Sequence, residues 1–162
     1  MPPFTPTIAG LPNSTPFVGP EAIVRKSGIP MRARIGANEN AYGPSPRAIA
    51  AMQDAVPGSW AYGDPEVHEL RQAIARHHNV APECVTVGEG IDGLFGLAVR
   101  MFIVPVTPVA SSAGAYPTFN FHVTGFGGRL CTTPYVDDRE DPESLLKLAA
   151  EVDARIIYFA NP

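Results

Sequence analysis

The chain has 162 residues, with 12 Lys and Arg against 16 Asp and Glu, a formal net charge of -4. That balance excludes a basic nucleic-acid or membrane-surface protein, because no excess of cations exists to neutralise phosphates. An apolar fraction of 45% with 17% charged residues is enough for a packed core and argues against wholesale disorder.

Proline is the compositional outlier, with 18 Pro beside 15 Gly, and eleven of the prolines fall in the first 65 residues. Residues 1–44 are therefore expected to form an extended, turn-rich arm. It holds one short helical stretch, Pro20-Glu-Ala-Ile-Val-Arg-Lys26, and a strand-like run over 32–35. The first twenty residues carry no Lys or Arg and are broken by Pro2, Pro3, Pro6, Pro12 and Pro16, which does not fit a signal peptide. The apolar stretch 94–106 contains Arg100 and Pro105 and is too short to cross a bilayer. Cys84 and Cys131 stand 47 positions apart in strand-like runs, without a C-x-x-C pair or a His at ligand spacing. They are expected to be two buried, reduced thiols rather than metal ligands.

Ser45-Pro46 supplies a cap followed by a first-turn proline, and Ala48, Ile49, Met52 and Val56 follow at helical spacing. Asp64-Pro65 is expected to open a second helix with Val67, Leu70 and Ile74 on its apolar face. It ends near Asn79, which suits a left-handed cap. His77 and His78 fall in its last turn, where the helix dipole favours cations, so an end-of-helix surface role suits them better than catalysis. From residue 83 strands and helices alternate. The pattern predicts a strand over 84–87, then a helix over 91–104 with Leu94, Leu97, Ala98, Met101 and Phe102 on its buried side. A strand over 107–112, a helix over 117–124 and a strand over 129–135 come next. Asp141-Pro142 opens a helix to Val152, and 155–160 reads as a final buried strand. Strands separated by helices predict a parallel α/β sheet. The run Asp137-Asp-Arg-Glu-Asp141 reads as a solvated loop ending in a helix cap.

Between the strand 84–87 and the next helix lies Gly88-Glu-Gly90-Ile-Asp-Gly93, literally a G-x-G-x-x-G turn. Such glycines bring backbone N–H groups to a phosphate at a helix N-terminus. A dinucleotide also needs an acid about 20 residues on to hold a ribose hydroxyl, and no Asp or Glu occurs between Asp92 and Asp137. A nicotinamide or flavin dinucleotide is disfavoured. A phosphate-sized anion at this turn, or a glycine turn needed only for strand–helix packing, both remain. The stretch from Gly93 to Tyr135 holds only Arg100 and Arg129 as full charges and reads as core covered on both faces. Within it, Tyr116-Pro-Thr-Phe119 follows a strand where ligand-facing loops of open α/β sheets lie. Spacing alone favours a core role for its aromatic ring.

Four segments in order, Asn38-Glu-Asn-Ala-Tyr-Gly-Pro-Ser-Pro46, Tyr62-Gly-Asp-Pro65, Gly88-Glu-Gly-Ile-Asp92 and Tyr116-Pro-Thr-Phe119, resemble the N-terminal portion of histidinol-phosphate aminotransferase and its close relatives. These are fold-type-I enzymes dependent on pyridoxal 5′-phosphate (PLP). The ending, Ile156-Ile-Tyr-Phe-Ala-Asn-Pro162, is similar to the strand that leads into the family's Asn-Pro-Asn-Asn-Pro-Thr-Gly motif. The resemblance covers about residues 8–162. It implies an incomplete three-layer αβα large domain of the PLP-transferase type over 45–162, preceded by an N-terminal arm and substrate loop over 1–44.

What the resemblance implies for single residues is specific. Gly90, Ile91 and Asp92 match the turn whose N–H groups hold the cofactor phosphate, and Phe119 matches the aromatic that stacks on the pyridine ring. Tyr62 matches a tyrosine that reaches the other subunit's cofactor, which implies a homodimer with shared active sites. Asn38 and Asn40 match the loop over the substrate, and Phe17 lies near a substrate-side tyrosine of many members. Val106 replaces a glycine usual in a tight turn. The implied chemistry is PLP-dependent transamination of an amino acid or amino-alcohol phosphate, between a small-molecule amino donor and a 2-oxo acid acceptor in the cytoplasm, without nucleic acid, membrane or metal. The only two lysines, Lys26 and Lys147, match neither the place nor the role of the Schiff-base lysine, which is expected beyond Pro162. The segment alone is therefore expected to be inactive. The alternative from the residues alone is a non-catalytic phosphate- or nucleotide-binding α/β module.

Overall fold

A computed structural model describes residues 2–13, 17–34 and 39–161. In chain order its helices and strands are α1 (Pro6–Ala9), α2 (Pro20–Ser27), α3 (Pro46–Ala55), α4 (His68–His78), α5 (Gly90–Phe102), β1 (Pro108–Ser112), α6 (Pro117–Gly125), β2 (Arg129–Thr133), α7 (Pro142–Glu151) and β3 (Ile156–Ile157). They fall into two units, one of residues 1–32 with 89–162 and one of residues 33–88.

The first unit holds a three-stranded parallel sheet in the order β2-β1-β3. In β1 the residues alternate between two cores. Val109 packs with Val99, Ile103, Phe119 and Val123 under α5 and α6, while Ala110 packs with Leu145 and Ala149 of α7. Helices thus lie on both faces of the sheet, which is the α/β layering the sequence predicts. Fully buried Leu145, Val99, Val109 and Val123 anchor the two layers, each contributing about 1.5–3 kcal/mol by leaving water. Asp141 starts α7 by accepting a hydrogen bond from the Ser144 N–H at 3.0 Å, with Pro142 in the first helical position.

Three expectations in this unit need correction. The buried face of α5 is Phe95, Val99 and Ile103, whereas Leu97, Met101 and Phe102 are exposed. This helix is apolar nearly all round, so its periodicity does not select a face. Of the strand expected over 155–160 only Ile156 and Ile157 pair, in register with Val109 and Ala110, and the segment alternates half-buried and exposed instead of being buried. Cys131 is half-buried, and Cys84 in the second unit is exposed, so neither is a core thiol. The arm also carries the short helix α1, capped by Thr5, in addition to α2.

In the second unit α3 starts on Ser45, whose hydroxyl accepts from the Ala48 N–H at 3.1 Å. Its apolar residues Ile49 and Met52 are exposed. α4 begins three residues later than Asp64-Pro65 suggests, because the Asp64 carboxylate accepts from the N–H groups of Glu66 and His68 at 3.0 and 2.9 Å. The helix starts behind that turn, with Val67 left-handed at φ 50°. Leu70 is exposed and Ala75 is the buried residue of the helix. Asn79 closes it in the left-handed conformation, as its side chain suits.

No strand forms over 84–87. Pro82–Cys84 is a turn of 3-10 helix and 85–87 run extended without a partner strand among the described residues. Arg71 takes the carbonyls of Pro82 and Val85 instead, at 3.0 and 3.1 Å. The strand-like run 32–35 is also not a strand at 32–34, and Ile35 lies outside the described residues.

Candidate active site

The N-terminus of α5 is open and lacks a side-chain cap. Gly90 opens the helix at φ +73°, a conformation L side chains rarely adopt, and nothing stands within 4 Å of where its Cβ would be. Glu89 precedes it without a side-chain cap, and the first-turn N–H groups of a helix have no partner inside it. Ile91 is 58% exposed, so the turn of Gly90, Ile91 and Asp92 faces open space. The helix dipole adds partial positive charge there, and the carboxylates of Glu89 and Asp92 oppose it.

Phe119 sits at the start of α6, beside the same helix. Its ring lies 5.3 Å from that of Phe95, edge to face, and Phe95 is five residues along α5 from Gly90. The rise between those two positions is about 7.5 Å. Phe119 is only 3% exposed: it lies in the cluster of Val99, Ile103, Val109 and Val123, and Tyr158 stacks on it at 4.3 Å between centroids with planes 28° apart. The sequence gives Phe119 a place in the core or against a flat ligand; here it is core.

Around this point the carboxyl ends of the strands gather polar groups that the motifs did not flag. Both Glu140 carboxylate oxygens accept from the Ala160 N–H at 3.2 Å, fixing the segment that leaves β3. Burial pushes the Tyr158 phenol above its ordinary pKa, and the Glu140 carboxylate adds to the effect. Tyr135 lies so close over Gly114 that an added Cβ would come within 2.8 Å of its ring. Among the described residues three buried side-chain atoms, Ser112 Oγ, Thr118 Oγ1 and Asn120 Oδ1, have no hydrogen-bond partner. They belong to the single β1–α6 crossover. Ser112 was discoverable from its place at the end of a strand, and Tyr158 from its i, i+2 relation to Ile156. Neither signal separates a site from a core.

A phosphate fits the open α5 turn. A flat ring fits less well, since Phe119 offers no free face.

Phe17 is exposed. In the unit of residues 33–88, Tyr62 is fully exposed, and Asn40 is engaged in its own turn, accepting from the Tyr42 N–H at 3.1 Å. Asn38 lies outside the described residues. Lys147 is 79% exposed, with its ammonium 4.0 Å from Glu151 one turn along α7. Lys26 is exposed on α2.

No protein-family model matches the chain. Histidinol-phosphate aminotransferase of Roseiflexus castenholzii is 30% identical over 97% of this chain and 44% of its own length. That of an Anaeromyxobacter species is 33% identical over 100% of this chain and 44% of its own. Among solved structures, histidinol-phosphate aminotransferase from Sinorhizobium meliloti in complex with pyridoxal 5′-phosphate superposes with a TM-score of 0.89. It is 50% identical to this chain, over 98% of this chain and 42% of its own. The chain thus spans less than half the length of the relatives it matches. In sequence and in fold, the chain is similar to part of histidinol-phosphate aminotransferase, a fold-type-I PLP-dependent aminotransferase.

Proposed function

We propose that the chain supplies the phosphate-binding part of a PLP-dependent aminotransferase of the histidinol-phosphate type. Its substrates would be a small amino donor and a 2-oxo acid acceptor. The observation that carries this reading is the open left-handed turn at Gly90, in a sequence 50% identical to a relative solved with PLP. In this reading residues 1–44 are the arm and substrate loop, and 45–162 belong to the cofactor-binding domain. The backbone N–H groups of Gly90, Ile91 and Asp92 hold the phosphate. Phe119 is the aromatic nearest the ring. Tyr62 reaches the cofactor of a second subunit in a cytoplasmic homodimer, and Asn38, Asn40 and Phe17 lie toward the substrate.

PLP, when bound, supplies an electron sink for the carbanion formed at the substrate α-carbon. The residues of this chain bind and orient; they do not move the proton. That task needs an amine placed at the α-carbon, and Lys147 is directed to solvent beside Glu151. These 162 residues by themselves should therefore lack transaminase activity, and Lys147→Ala should not alter that result.

Titration with inorganic phosphate and with PLP tests the binding half. Both should bind the wild-type chain and compete with each other, and Gly90→Ala should weaken both by roughly five- to thirtyfold, since a Cβ at positive φ costs about 1–2 kcal/mol. Equal affinity of Gly90→Ala and wild type for phosphate would remove the turn from the site. Turnover by the isolated chain that disappears in Lys147→Ala would remove the assignment of a purely binding role.

A further inference from the structure

We propose that the hairpin between β2 and α7 is a clasp that sets the length of β3, with the Glu140 carboxylate as its hook. The clasp does not depend on the cofactor reading above. It is formed by the acidic run 137–141, expected from the sequence as a solvated loop. Val136 and Arg139 exchange backbone hydrogen bonds at 3.0 and 3.1 Å, and Asp137 and Asp138 between them are left-handed, at φ 50° and 59°. Two successive left-handed residues form the tight turn whose twist suits a hairpin, and Asp tolerates that geometry better than most side chains. Glu140 follows at once and Asp141 caps α7, so Glu140 is held from both sides. It is half-buried, as is Ala160, and both its oxygens accept from the Ala160 N–H at 3.2 Å.

Strand pairing has its own use for that N–H. β3 lies parallel to β1, with Val109 opposite Ile156 and Ala110 opposite Ile157, and the Tyr158 N–H donates to the Ala110 carbonyl at 2.8 Å. A parallel ladder repeats every two residues on each strand. The next donor on this side is therefore the Ala160 N–H, and its acceptor the carbonyl of Ser112, the last residue of β1. That carbonyl accepts instead from the Ala115 N–H at 3.1 Å and from the Ser111 hydroxyl at 3.4 Å. Glu140 takes the donor that would lengthen β3. This is why a segment expected as a strand over 155–160 pairs only at Ile156 and Ile157. A half-buried N–H needs a partner, and a charged acceptor holds it more strongly than a neutral one. The chain leaving the sheet thus has two arrangements, clasped to the hairpin or laddered onto β1. Ligand-facing loops of open α/β sheets lie at the carboxyl ends of the strands. The clasp decides which residues after Ile157 belong to the strand and which to that rim.

NMR of the isotope-labelled chain and of Glu140→Ala tests this, through hydrogen-bond scalar couplings from the Ala160 amide nitrogen. In wild type the coupling should run to the Glu140 side-chain carboxyl carbon and not to the Ser112 carbonyl carbon. In Glu140→Ala it should move to Ser112, and amide exchange at Ala160 should stay within roughly threefold of wild type, because one partner replaces the other. An unclasped segment with no ladder to join would instead exchange about tenfold faster or more, the factor that one bond to a charged acceptor supports. Absence of the Ser112 coupling in Glu140→Ala overturns the proposal, as does its presence in wild type. Should Glu140→Ala fail to fold, wild type decides alone: coupling to the Glu140 carboxyl carbon supports the clasp, and its absence overturns it.

Discussion

The backbone N–H of Val106 donates to the carbonyl of Gly127 at 2.7 Å. This bond joins the turn between α5 and β1 to the turn before β2, and it holds Val106 at φ +66°. A β-branched residue in the left-handed region is a genuine outlier. Left-handed geometry costs an L residue about 1–2 kcal/mol, while glycine gives part of that back as unfolded-chain entropy. Val106→Gly should therefore stabilise the chain by about 1 kcal/mol, seen as a higher urea midpoint with an unchanged slope. Val106→Pro removes the donor and forces negative φ, so it should destabilise. A lowered midpoint for Val106→Gly would show that the turn stores no strain.

Arg71 plays the equivalent part in the unit of residues 33–88. Its guanidinium donates to the carbonyls of Pro82 and Val85, the two ends of a segment that forms no strand. Hydrogen bonds from a charged donor contribute about 1.5–3 kcal/mol. Arg71→Met should lower local stability by about 2 kcal/mol and speed amide exchange at Cys84 and Val85, whose N–H groups bond within that turn. Lysine has a single head and does not span two carbonyls, so Arg71→Lys should rescue less than half of the loss. Unchanged exchange rates in Arg71→Met would mean that the turn holds itself.

One helix cap and one turn give the chain an acid-sensitive component. Hydrogen bonds from Ser144 hold the Asp141 carboxyl below its ordinary pKa, and backbone N–H groups of His68 and Glu66 do the same for Asp64. A lowered folded-state pKa means that the unfolded chain binds protons more readily, so the contribution to stability is complete above the unfolded carboxylate range. It is lost as pH falls through the lowered folded value, below about pH 4. Asp141→Asn keeps a capping oxygen without a titrating group. Its melting temperature should fall less steeply than that of wild type between about pH 5 and pH 2. Parallel curves for the two proteins would contradict the cap as the source.

Much of this was legible in residue types whose local chemistry has one solution. Ser45 and Asp141 cap the helices they precede, and Asn79 closes α4, because a short polar side chain before a proline or at a left-handed residue leaves little choice. Periodicity failed where it was degenerate. α5 is apolar nearly all round, so only packing against β1 selects Phe95, Val99 and Ile103. Pairing was illegible at 85–87 and 158–160, since a β-rich segment does not name its partner. The left-handed turn at Gly90 was readable from Gly88-Glu-Gly90 because glycine marks a backbone need. The stack of Tyr158 on Phe119 joins residues 39 positions apart, and no local pattern reports it.

Charge at the α5 turn gives a prediction of opposite sign to most site mutations. Asp92 lies in the first turn, where a carboxylate favours the helix dipole yet repels an incoming anion. Neutralising it should cost a few tenths of a kcal/mol in stability while tightening phosphate binding by roughly two- to fivefold at low salt. Asp92→Asn measured by phosphate titration checks this, and the gain should shrink as ionic strength rises. A loss of phosphate affinity at low salt would place the anion elsewhere.

The last strand makes the chain prone to associate. β3 pairs with β1 on one side only, and among the described residues no strand covers its other edge. Ile157 and Phe159, which share a face, are each 44% exposed. A bare apolar edge is a template for another chain. Sedimentation velocity should show a weight-average mass that rises with protein concentration. Ile157→Lys puts a charge on that edge and should lower the association constant by tenfold or more, on the order of the 1.4 kcal/mol that a buried charge readily exceeds. The substitution sits at the sheet margin, next to Ala110 in register, so its effect on the unfolding midpoint should be small by comparison. A wild-type chain that stays monomeric at every concentration would mean that residues 155–160 are shielded by their own side chains, and Ile157→Lys would then change nothing.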